Sequence, residues 1–143
     1  MTADEIIARL DLTPHPEGGW YRQTWVAEVP EAERPAGTAI LFLLREGERS
    51  HWHRVDAAEI WHFYAGAPLV LALAGSDVGP AEEQVLGPDL VAGQSPQVVV
   101  PKDWWQAARS TGAWTLVGCT VSPGFRFEGF TLAPPGFDIP VGP

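Results

Sequence analysis

Three of the four histidines, His51, His53 and His62, fall in one stretch, Gly47 to Gly66 (GERSHWHRVDAAEIWHFYAG), together with Glu59. His51 and His53 are two apart, so on a β-strand both imidazoles would project from one face. Glu59 opens the next apolar run, where strand alternation groups it with Trp61 and Phe63 and puts His62 opposite, with Ile60 and Tyr64. Two neutral imidazoles and a carboxylate arriving from neighbouring strands suit a first-row metal ion. They equally suit acid–base chemistry in an apolar pocket.

The metal reading needs a fourth donor. No histidine follows His62, and His15 sits in an N-terminal turn, so a later strand offers only Gln106, in PKDWWQA. The candidate ligand set is therefore His51, His53, Glu59 and Gln106, for iron, manganese, nickel or zinc. The alternative needs no metal and makes His53 and Glu59 a catalytic pair. A third possibility is a non-catalytic module in which the histidines are simply packed. A carboxylate at the head of an apolar strand is costly to bury unpaired, so Glu59 is expected to meet His53, Arg22 or a metal. Glu17, in PEGGW, lies on a turn whose glycines let the backbone approach a ligand. Tyr21, Trp61, Phe63, Trp104 and Trp105 are candidates for an aromatic cavity wall.

These side chains need elements to hold them. Thr2 and Glu5 form a capping-box pattern at the head of a short amphipathic helix carrying Ile6, Ile7 and Leu10. Strand signals then recur at 20–29, 38–44, 49–54, 59–64, 68–74, 82–86, 97–100, 104–109, 114–122 and 125–132, separated by Gly- and Pro-rich turns. The run TAILFLL at 38–44 has no polar face, so it should be buried on both faces or paired across an interface. The proline-rich tail from Pro134 reads as extended coil laid against the body. About ten short strands and one helix over residues 1–143 describe a single all-β domain, a sandwich or barrel.

Composition narrows the function. Nine basic residues against eighteen acidic ones give a formal charge of −9, and Lys102 is the only lysine. Binding a phosphate backbone or an anionic membrane requires concentrated positive charge, so neither nucleic acid nor membrane is an expected partner. One cysteine, Cys119, excludes an internal disulfide framework and a Cys-based zinc cluster. The N-terminus has no basic flank or long apolar core of a signal peptide, so a cytoplasmic location is expected.

The residues also carry a resemblance. Gly47…His51-Trp52-His53…Glu59…Gly66 resembles the first cupin motif, and Gly93…Pro101-Lys102-Asp103-Trp104-Trp105-Gln106 resembles the second, with Gln106 in the place of its ligand histidine. HPEGGWYRQTW at 15–25, EIWHFYAG at 59–66, VVVPKDWWQA at 98–107 and VSPGFRFEGF at 121–130 are similar to hallmark stretches of the small cupins gathered as cupin family five. Lys102-Asp103 replaces a small glycine-containing turn, and Gly129 stands where that branch usually has an acidic residue. The resemblance implies a double-stranded β-helix, or jelly roll, usually a homodimer through its sheets. It assigns no activity, since a fold does not carry one. By similarity to the sugar-nucleotide epimerases of the superfamily, an isomerase or epimerase using His53 as proton-transfer group is one expectation. By similarity to its metal-dependent isomerases and dioxygenases, the four-ligand metal site is the other. In the first reading Glu17, Tyr21, Trp61, Phe63, Trp104 and Gln106 would contact a small-molecule ligand.

Overall fold

The computed structural model describes residues 1–142. Helix α1 (Ala3–Leu10) begins at Thr2, whose hydroxyl accepts the Glu5 amide at 3.2 Å, and stops at Asp11, which takes the left-handed conformation (φ 55°). Eleven strands follow among the described residues: β1 (Thr13–Pro14), β2 (Trp20–Val26), β3 (Thr38–Arg45), β4 (Arg49–Val55), β5 (Ala58–Gly66), β6 (Leu69–Ala74), β7 (Glu82–Leu86), β8 (Gln97–Val100), β9 (Trp105–Ser110), β10 (Trp114–Ser122) and β11 (Phe130–Leu132). They form two antiparallel sheets. One has the order β1-β2-β3-β10-β5-β8, the other β11-β4-β9-β6-β7. Strands distant in sequence pair side by side in both, as a jelly roll requires.

The sheets face each other over a core of Phe42, Leu44, Trp61, Leu69, Leu71, Leu73, Leu86, Val98, Val100 and Val117. Burial of each such side chain contributes about 1.5–3 kcal/mol. The polarity-free run in β3 has its explanation here. Phe42 and Leu44 enter this core, while Leu43 turns outward beneath α1 against Ile6 and Leu12. A strand buried on both faces needs no polar alternation. The tail crosses the outer face of the second sheet: Ile139 is buried, Phe137 packs on Trp105 with centroids 5.1 Å apart, and Trp52 donates to Asp138 at 2.8 Å. Among the described residues no helix is long and apolar enough to cross a membrane.

Two features depart from simple strand periodicity and shape the site. In the pairing of β4 with β9, Ser50 faces Ala108 and His53 faces Gln106, so three steps along β4 match two along β9. This is a β-bulge, and it puts Ser50 and His53 on the inner side together. The stretch 125–132 is not one continuous strand. Phe127–Gly129 forms a single 3₁₀ turn, and only Phe130–Leu132 joins the sheet, beside β4.

Candidate active site

At one end of the sandwich the core gives way to a cavity of about 110 Å³. The first sheet supplies Tyr21, Ile40, Glu59 and Cys119. The second supplies His53, Val55 and Phe130, and the loop before β11 adds Phe125 and Phe127. His15 and Glu17 close it from the turn between β1 and β2.

That turn is held by close backbone approach. The Glu17 carbonyl accepts the His51 amide at 2.8 Å, docking the turn on β4. Gly18 has φ +108°, and a Cβ there would collide with the Arg49 carbonyl oxygen. Only glycine lets the chain pass so near, and that passage aims the Glu17 side chain inward. Its Oε2 then accepts a very short hydrogen bond from the Ser50 hydroxyl, and its Oε1 stands 3.5 Å from His53 Nε2 and 3.4 Å from His15 Nδ1.

The bulge also fixes His53. Its Nδ1 lies 2.7 Å from the His51 carbonyl oxygen. A carbonyl only accepts, so Nδ1 carries the proton and Nε2 presents a lone pair towards Glu17. His15 is the mirror case: its Nδ1 accepts the Glu17 amide at 3.1 Å, leaving the proton on Nε2. Glu59 is oriented from the other side. Trp61 donates its indole N–H to Gln106 Oε1 at 2.7 Å, and Gln106 Nε2 donates to Glu59 Oε1 at 2.9 Å. Trp61 can only donate, so it dictates which way the amide faces.

Burial governs the charges. It pushes the Glu17 carboxyl up to about 8, against the pull of the Ser50 hydroxyl. It raises Glu59 to about 7, with His53 and the Gln106 amide pulling down and Glu17 pushing up. It lowers His15 to about 4, assisted by His53, and depresses His53 itself against the attraction of Glu59. The Cys119 thiol is held well above its usual range by burial and then by Glu59. Near pH 7 the Glu17–His53 contact is thus between a carboxylic acid and a neutral imidazole. A carboxylic acid facing an imidazole lone pair is the pairing of groups that general acid–base chemistry uses.

Of the sequence candidates, His53, Glu59, Glu17 and Tyr21 come together on this cavity. The others do not line it. His51 does not share a face with His53, because the bulge intervenes, and its Nε2 meets the Pro134 carbonyl oxygen at 3.0 Å. Gln106 is 1% exposed and behind Glu59, its oxygen already taken by Trp61. Trp61 and Phe63 pack in or against the main core. Trp104 packs over Gly75, beside the turn that leads into β9. Glu59 meets Gln106 rather than Arg22, which is exposed on β2. The expected set His51, His53, Glu59 and Gln106 is therefore not assembled around one point. Among the described residues no group of three or more His, Cys, Asp or Glu side chains has the geometry to hold a metal ion. The donor orientations do not fit one, with His51 turned to the Pro134 carbonyl and the Gln106 oxygen held by Trp61.

Sequence reasoning passed over His15, Ser50, Cys119 and the three phenylalanines. The FRFEGF motif signalled the phenylalanines, but its aromatic alternation imitates a strand. His15 is two residues from Glu17 in the same turn, which was the available clue.

A two-sheet antiparallel jelly roll is the fold of cupins. The chain matches the family model described as "Cupin superfamily (DUF985)" over residues 4–133, and it belongs to that family. It is similar to a solved protein of Shewanella oneidensis, SO0799, at 41% identity, covering 93% of this chain and 85% of that one, with a TM-score of 0.87. A protein of Leishmania major described as hypothetical is 30% identical, with 93% and 88% covered and a TM-score of 0.82. Oxalate decarboxylase of Bacillus subtilis is 14% identical over 87% of this chain and 31% of that one, with a TM-score of 0.65, a likeness of fold alone. No curated protein sequence matches.

Proposed function

We propose that this cupin binds a compact small molecule in the cavity and transfers a proton to or from it, in an isomerase- or epimerase-type reaction. His53 is the acid–base group, Glu17 its proton partner, and Glu59 the second carboxyl acting on the ligand. One observation carries this reading. His53 is buried with Nδ1 committed as a donor, so its one free lone pair, on Nε2, is 3.5 Å from a carboxyl at the edge of a cavity. The sugar-nucleotide form of the reading is less well supported, because no Lys or Arg lines the cavity among the described residues to meet a diphosphate. The natural ligand is accordingly small. Pairing of two copies through the outer face of the six-stranded sheet belongs to the same reading, supported by Tyr64 and Val99, which are 54% and 55% exposed there.

The test uses a fragment library screened by thermal shift, followed by incubation of each stabilising fragment in D₂O with NMR detection. Wild type should exchange one C–H for deuterium, and His53→Gln should still bind but not exchange. Exchange unaffected by His53→Gln, or no stabilising fragment at all, would remove the proposal. Light scattering on the purified protein checks the dimer, and a monomer at micromolar concentration would refute that part.

A further inference from the structure

The cavity combines two features that its proton chemistry does not require. The first is aromatic. Phe125 and Phe127 have centroids 5.0 Å apart at 86°, Phe125 and Phe130 5.7 Å at 63°, and Phe127 and Phe130 6.1 Å at 83°. Rings so inclined make a corner, suited to a compact three-dimensional group rather than to a flat ring lying on a flat wall. The second is a missing partner. Glu59 is buried and the Glu17 side chain is only 9% exposed, and no Lys or Arg lines the cavity among the described residues.

The nearby guanidinium groups are engaged elsewhere. Arg34 and Arg126 both bind Asp56, at 2.6 and 3.2 Å, and Arg34 also donates to the Gly124 carbonyl at 2.8 Å. They brace the phenylalanine loop from outside. The loop's first amide is tied down as well, with Phe125 donating to the Thr38 hydroxyl at 2.9 Å. Ion pairs and hydrogen bonds thus tie the corner to the body of the protein.

We infer that the cavity is built for an organic cation, a substituted ammonium group held between the Glu17 and Glu59 carboxyls and the rings of Phe125, Phe127 and Phe130. The inference rests on the binding reading above and names its substrate class. Two physical terms act in one direction. Ring faces attract a desolvated cation through the negative face of their quadrupole. A cation also supplies the counter-charge that lets a buried carboxyl ionise, which burial otherwise opposes. Size agrees: a cavity of about 110 Å³ is of the order of one that takes a single small ring (~150 Å³ for benzene), so a trimethylammonium group is in range. An anion would meet two carboxyls, two neutral histidines and no positive charge.

The test is calorimetry at pH 7.5 with choline, ethanolamine, 3,3-dimethyl-1-butanol (the uncharged carbon isostere of choline) and propionate. At least one ammonium should bind about tenfold more tightly than the alcohol and the carboxylate, a difference of about 1.4 kcal/mol. Phe127 is 55% exposed, so Phe127→Ala should fold normally. It should weaken the ammonium several-fold and leave the alcohol nearly unchanged. Glu17→Gln should narrow the preference for the cation without abolishing the alcohol's binding. Equal affinity for choline and its isostere, or a preference for propionate, overturns the cation inference while leaving the pocket reading standing. Absence of binding by all four probes up to tens of millimolar overturns both.

Discussion

Glu17→Gln isolates the charge of one buried carboxyl while keeping its shape. In the folded protein Glu17 holds its proton up to about 8, against 4.5 as its ordinary value. Between those limits the folded state binds more protons than the unfolded chain, so stability falls as pH rises. Linkage with these two values gives a loss of roughly 3 kcal/mol from Glu17 alone between pH 6 and pH 9. Glu59, at about 7, adds a loss of roughly 1 kcal/mol over the same interval. Wild type should thus lose about 4 kcal/mol across that interval, and the Gln variant only the share of Glu59. At pH 6 the variant should match wild type or be slightly weaker, because an amide replaces the acceptor of the Ser50 hydrogen bond. At pH 9 it should have gained roughly 3 kcal/mol relative to wild type. Urea denaturation followed by tryptophan fluorescence at both pH values measures this directly. A wild-type-to-variant difference that is the same at pH 6 and pH 9 would refute the placement of Glu17 as a buried, protonated acid.

The remaining predictions concern the same cluster. His15 and His53 have folded pKa values below the ordinary 6.5, so acidification charges them first in the unfolded chain and stability falls with pH between about 6.5 and 4. Against the opposite slope of the two carboxyls, wild-type stability should plateau between about 4.5 and 6.5 and decline on both sides; a steady rise towards pH 8 in a denaturation series would contradict it. Gly18→Ala should cost about 1–3 kcal/mol from its positive φ, more if the Arg49 carbonyl cannot yield, and should displace Glu17 enough to flatten the alkaline decline. An unchanged pH profile in that variant would separate the turn from the site. Trp61→Phe leaves Gln106 Oε1 without its donor in a buried setting, costing about 1–3 kcal/mol beyond the packing loss. Trp61→Phe with Gln106→Leu should recover part of that cost in a double-mutant cycle, and strict additivity would mean the two side chains do not act together.

Much of the fold was legible because periodicity reports burial. The helix, its cap, the central strand buried on both faces and the tail against the body all follow from where apolar residues and turn formers fall. Within the site, Glu59 declared itself as a carboxylate opening an apolar strand, and Glu17 through the two glycines that follow it. The failures have local causes. A bulge adds one residue to β4, and since strand faces alternate residue by residue, that shift separates His51 from His53 and joins Ser50 to it. The FRFEGF segment satisfies strand alternation, yet the Asp56 clamp with Arg34 and Arg126 braces it as a loop.

The sequence by itself determined a single all-β domain of net acidic charge, and its motifs resemble those of cupins. Residue type and spacing suffice for the all-β architecture, because they set which faces are buried. Only the tertiary structure decided which imidazoles and carboxyls meet. It brought His15 and Glu17 from the N-terminal turn onto His53, and turned Gln106 away under the direction of Trp61. Those outcomes depend on register, on a single inserted residue and on a backbone contact at Gly18, none of which periodicity records.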